Sequence, residues 1–138
     1  MRNLWLAACG YAALGLTSGL VYRTLTHDGF TGKTQLSTTH THFLALGMLV
    51  MLIMLALDAA LGVSGSRSFK VFFVTYNAGL LVTVGTMIWH GLLQLDGKAG
   101  GPAIAGVAGL GHILITAGVV ALLVSLRAPI AKHLAEKA

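Results

Sequence analysis

Four uninterrupted apolar runs dominate the chain: about Leu4–Tyr22, Phe43–Val63, Val71–Leu95 and Ala103–Leu126. Each is near or above the ~20 residues that a helix needs to cross a ~30 Å hydrocarbon core. Spanning strands would instead show short alternating segments. The runs predict an all-α chain: an integral membrane four-helix bundle with spans at about 4–22, 36–63, 70–95 and 102–126, in one domain over 1–138. Charge agrees with this. Only 9% of the 138 residues are Asp, Glu, Lys or Arg, against about 25% in soluble domains. So few charges cannot cover a water-facing surface, which excludes a disordered chain, an ordinary soluble enzyme and a nucleic-acid-binding domain.

The basic residues orient the spans. With the N-terminus inside, the inner side holds Arg2, Arg67, Lys70, Arg127, Lys132 and Lys137, and the outer side holds Arg23, Lys33 and Lys98. This asymmetry predicts a multi-pass membrane protein with both termini inside. The net charge of +5 then reports topology and contact with anionic lipid, not nucleic acid. Trp5, Tyr22 and Trp89 read as interfacial anchors. Leu6-Ala7-Ala8-Cys9 resembles a lipoprotein cleavage site, but almost no apolar stretch precedes Cys9, and a signal needs an h-region of roughly 7–15 residues. Cys9 is expected as a buried small residue; alone, it makes no intrachain disulfide.

The connections are short. Arg23–Thr39 is the longest, and its second half reads as the first turns of the second helix. Asp96–Pro102 is a Gly-rich turn whose Pro102 suits a first helical position. Asp58, near the inner end of the second span, is expected to snorkel or to pair with Arg67 or Lys70. Met48, Met51 and Met54 recur on one helix face and read as packing, and Tyr76 and Asn77 as interhelical hydrogen-bonding groups.

Six histidines remain. His133 lies in the basic tail and His27 in the outer loop, both expected in water. His40, His42, His90 and His112 lie in or near the outer half of the spans, where an ionisable residue is costly and marks a functional site. Residues two apart on a helix point about 200° apart. His40 and His42 therefore suit one ligand in each of two sites, rather than one metal chelated from a single helix. From helix starts near Thr34 and Pro102, His42 and His112 lie about 12 and 15 Å deep at ~1.5 Å per residue. Both helices run inward, so the two imidazoles can face each other as axial ligands of one flat cofactor. The glycines and alanines around His112 leave room for a porphyrin face or for close helix packing. Gly79, Thr83, Thr86 and His90 share one helix face, read either as an interhelical seam or as a second ligand site near His40.

His40-Thr41-His42-Phe43-Leu44-Ala45-Leu46-Gly47 resembles the His-x-His helix of heme–copper oxidase and nitric-oxide reductase catalytic subunits. Gly111-His112-Ile113-Leu114 loosely resembles their partner helix. That resemblance implies His42 and His112 as axial ligands of a low-spin heme b and His40 as a ligand at a second heme. Neither a His-x-x-x-Tyr element nor an adjacent His-His pair is present, so the likeness does not extend to the copper ligands of the oxidases. The chain from Gly15-Leu16-Thr17-Ser18-Gly19 to Leu110-Gly111-His112 is also similar to a small, uncharacterised four-helix bacterial membrane family. By analogy with the oxidases, a four-helix chain would assemble as a homo-oligomer, a dimer or trimer. Heme propionates would need outer-side cations, Arg23 first, with Lys33 and Lys98 behind it. The expected role is electron transfer with an unidentified redox partner, heme handling or a response to diatomic gases. Two alternatives stand beside it: a copper or other transition-metal site built from the same histidines, and a cofactor-free structural or transport-accessory protein.

Overall fold

A computed structural model describes residues 1–137. It is all-helical, without strands among those residues. Helix α1 spans Arg2–Leu25, α2 Leu36–Leu61, α3 Arg67–Leu95 and α4 Pro102–Ala135, and all four are long and apolar enough to cross a membrane. They run antiparallel in sequence. One end of the molecule holds the N-terminus, the short α2–α3 link and the C-terminal part of α4. The other holds the 26–35 and 96–101 connections.

Local chemistry sets the boundaries. Pro102 opens α4 at its first turn, where its missing N–H costs no hydrogen bond. Ser66 caps α3 by accepting the Phe69 N–H at 3.1 Å, a satisfied N-cap. Gly62 ends α2 in the left-handed region at φ +64°, which glycine adopts without steric cost. The apolar run ending at Leu126 understates α4, which continues through Pro129 to Ala135.

Helix α3 is central. Of its most apolar stretch 39% is buried, against 11% for α4. The core joins α1, α2 and α3 through Leu4, Ala8, Tyr11, Phe43, Met51, Met54, Phe72, Tyr76 and Leu80, while α4 adds only partly buried residues such as Ile115 and Leu122. Met51 and Met54 pack there as expected. Helix α1 lies against α2, and α4 lies almost wholly against α3. The arrangement is therefore an open row rather than a closed ring of four.

Close backbone approach explains the contact between α3 and α4. A Cβ on Gly79 would lie 2.7 Å from the Ile115 nitrogen and 2.8 Å from the Gly111 oxygen. Only glycine lets α3 and α4 meet so closely. Tyr11 donates to Asn77 at 2.6 Å and Tyr76 to the Leu46 carbonyl at 2.9 Å. Tyr76 and Asn77 thus have the interhelical bonds expected of them.

Two expectations are corrected. Cys9 is exposed on α1, because α1 presents only one face, that of Leu4, Ala8, Tyr11 and Gly15, to the core. Asp58 pairs with neither Arg67 nor Lys70. The αL turn at Gly62 folds the chain back, so its carboxylate accepts the Ser64 N–H at 2.7 Å and lies 3.3 Å from the Met1 ammonium.

A histidine-lined cavity at the loop end

Helix α2 is not uniform. It is α-helical over Leu36–Thr41 and Val50–Leu61, and π-helical over His42–Leu49. Such wide turns gather at functional sites, and this one begins at His42. Gly47 within it receives the Tyr11 ring, whose nearest carbon would stand 2.5 Å from an added Cβ. The Leu46 carbonyl, also within it, accepts the Tyr76 hydroxyl. The segment thus has a partner on each neighbouring helix.

The start of α2 is tied to the end of α3. Thr34 donates to the Gly91 carbonyl at 2.8 Å, and the Gln94 side chain accepts the Gln35 N–H at 2.8 Å. These bonds hold the first turns of α2 beside His90. The α2 backbone meets α4 only through Val50–Leu61, and its Leu36–Leu49 half does not approach α4. The two helices therefore splay apart toward the loop end, with α3 as the floor between them.

The gap is a cavity of about 510 Å³, in the size range of cofactor sites. His42, His90 and His112 line it with Gln35, Thr38, Thr83, Thr86, Met87, Ile104, Ala105, Ala108 and the Gly100–Gly101 turn. His42 Nδ1 lies 2.9 Å from the Thr38 carbonyl, and His112 Nδ1 lies 2.8 Å from the Ala108 carbonyl. A carbonyl only accepts, so in both rings Nδ1 carries a proton, and in the neutral ring Nε2 keeps its lone pair. A second bond that fixes tautomer and ring orientation is what metal-ligating histidines usually have.

The remaining candidates fall elsewhere. His40 does not line this cavity. It packs over Gly19 of α1, its Cβ 3.6 Å from where a glycine Cβ would be, and its Nδ1 is buried without a partner. The two α2 imidazoles do serve different sides, as their 200° separation requires. The pairing of His90 with His40 is corrected: His90 shares the cavity with His42 and His112 because α3 forms its floor. Its Nε2 faces the α3–α4 turn, 2.6 Å from where a Cβ on Gly100 would sit.

Arg23 is exposed at the end of α1 and is not among the residues lining the cavity. Helix α1 packs on the opposite side of α2, so the expectation that Arg23 would cap a cofactor here is not met within one chain. Lys98 pairs with Asp96 at 3.1 Å. No cation lines the cavity, whose polar groups are hydroxyls, an amide and imidazoles.

The small residues near His112 divide into three roles. Gly111 packs against Thr83, Ala105 and Ala108 face the cavity, and Gly106 and Gly109 face open space. Thr83 is 3% exposed, and its hydroxyl has no hydrogen-bond partner. Among the described residues, no three His, Cys, Asp or Glu side chains converge as a metal-holding group. Two features escape sequence reasoning: the π-helical register of His42–Leu49, and the splay that brings His90 in. The i−4 carbonyls on which the imidazoles rest were open to it through helical spacing alone.

A family model described as "Protein of unknown function (DUF2871)" matches residues 1–129, and the chain belongs to that family. No curated protein and no solved structure matches the chain, so the likeness to heme–copper oxidases gains no support from these comparisons.

Proposed function

We propose that the chain is a multi-pass protein of a bacterial inner membrane, N-in and C-in, that binds heme b between His42 and His112 for electron transfer, heme handling or gas response. One observation carries this reading. Two imidazoles from different helices line one cavity, each with Nδ1 held by the carbonyl four residues earlier and Nε2 left as a donor atom.

The donor set fits a porphyrin better than a bare ion. Copper or zinc held by protein alone takes three or four side-chain ligands, and among the described residues no such group converges. A porphyrin brings four nitrogens and needs two from the chain. Held by His42 and His112, heme would supply one-electron chemistry. The chain's own part is to hold both rings in one tautomer, to present Ala105 and Ala108 as flat small walls, and to offer Gln35 and Thr38 as polar groups. His90 is the nearest further titratable group at the cavity. His40 belongs to a separate position on the α1 side. Side-by-side copies, a dimer or trimer, would bring cations such as Arg23 to a propionate that the single chain leaves uncapped.

Absorption spectroscopy of the detergent-purified protein tests the reading. A Soret band is expected that is lost in His42→Ala and in His112→Ala and kept in His40→Gln. Protein that stays colourless after incubation with heme refutes it. Stoichiometric copper without a Soret band would favour the bare-metal alternative.

A further inference from the structure

At the terminus end, α1 and α3 stand apart. Their backbones do not approach, and a Tyr11–Asn77 hydrogen bond spans the space between them. At this end lies a crevice of about 590 Å³ whose lining includes Met1, Arg2, Asn3, Ser64, Lys70, Phe73 and Val74. Across Lys70 and Val74 it continues into a shallower groove with Arg67, Val71 and Thr75. One end is thus cationic and hydrogen-bonding, and the other is apolar and runs along α3.

The cations here are uncommitted. Among the described residues, Arg2, Arg67 and Lys70 have no carboxylate within ion-pair distance. Asp58, the carboxylate near this end of α2, is buried and turned to Ser64 and the Met1 ammonium. Three unpaired cations above an apolar channel complement a molecule with an anionic head and a hydrocarbon tail. Basic residues at the cytoplasmic membrane surface attract anionic lipid in general. A shaped crevice that joins the charges to an apolar track adds position to that attraction.

We infer that the α1–α3 crevice is a binding site for one anionic phospholipid. Its phosphate sits between Arg2 and Lys70, with Asn3 and Ser64 as further donors, and an acyl chain lies along Phe73 and Val74. The inference rests on the membrane placement and not on heme binding, so the two can fail separately.

Native mass spectrometry of the full chain, titrated with phosphatidylglycerol or phosphatidylcholine, tests it. Val74 is 65% exposed and Arg2 and Lys70 are exposed, so substitutions there leave the core intact. Phosphatidylglycerol is expected to bind preferentially. Affinity should fall about thirtyfold in R2Q/K70Q, from the loss of two basic residues near an anionic head. The control R127Q/K137Q, which removes two cations from the same end outside the crevice, should keep it. V74W, which fills the crevice with charges unchanged, should also weaken binding, and excess inorganic phosphate should not displace the lipid. Equal losses in the two charge variants, full affinity in V74W, or displacement by phosphate would each overturn the site.

Discussion

The two glycine seams look alike in sequence and differ in what the glycines touch. Between α3 and α4, an added Cβ on Gly79 or Gly118 would meet backbone: the Ile115 nitrogen at 2.7 Å, and the Tyr76 nitrogen at 2.9 Å. Between α1 and α2, an added Cβ on Gly15 would first meet the Leu44 side chain at 2.6 Å, and one on Gly19 only the His40 Cβ at 3.6 Å. Backbone held in two helices cannot yield without moving a helix. A leucine tip can change rotamer. The α3–α4 seam is therefore a fixed plate that sets His90 and His112, while the α1–α2 contacts at Gly15 and Gly19, beside His40, are adjustable.

The largest effect is expected at the fixed seam. Gly79→Ala should cost about 3 kcal/mol, the upper range for overpacking, read as a lower midpoint in thermal melts of the detergent-solubilised protein. The same variant should lose any cofactor band that the His42 and His112 variants lose, since α4 must shift. A wild-type melt for Gly79→Ala would erase the contrast between the seams. Next comes Tyr76→Phe, which leaves the Leu46 carbonyl of the π segment without its donor and should cost about 1 kcal/mol. Gly15→Ala should cost about 1 kcal/mol or less, because Leu44 can move aside. Gly19→Ala meets only an ordinary contact and should lie within about 0.5 kcal/mol of wild type. A cost at Gly19 equal to that at Gly79 would show that both seams are rigid.

The long apolar runs made the four helices legible, and the depths of His42 and His112 placed two imidazoles at one level. What escaped depends on backbone shape. His90 joins that pair only because α2 and α4 diverge above Val50, and divergence has no signature in hydrophobic pattern. Helix α4 outran its apolar stretch because the 127–135 segment mixes charges with Ile130 and Leu134, a pattern that hydropathy reads as an ending. Sequence distance points Asp58 to nearby basic side chains, whereas the αL turn at Gly62 delivers the Ser64 N–H to it. The neighbours of Gly106, Gly109 and Gly111, three glycines within six residues, differ by helical phase relative to α3, which composition cannot express.

The wide turn at His42–Leu49 has a consequence for how such a chain can change through descent. A π segment holds about one residue more than the α-helix it interrupts. Deleting a single residue between Phe43 and Leu49 would let the helix close into ordinary α geometry. Because the wide turn is what absorbs that extra residue, the Leu36–Thr41 stretch would keep nearly its present facing against the rest of α2. Such a deletion leaves the apolar run long enough to span, every histidine in the chain, and His40 over Gly19. Loss of one codon there is thus taken up by the backbone, whereas loss of one within the α-helical Val50–Leu61 part would turn the residues before it by about 100°.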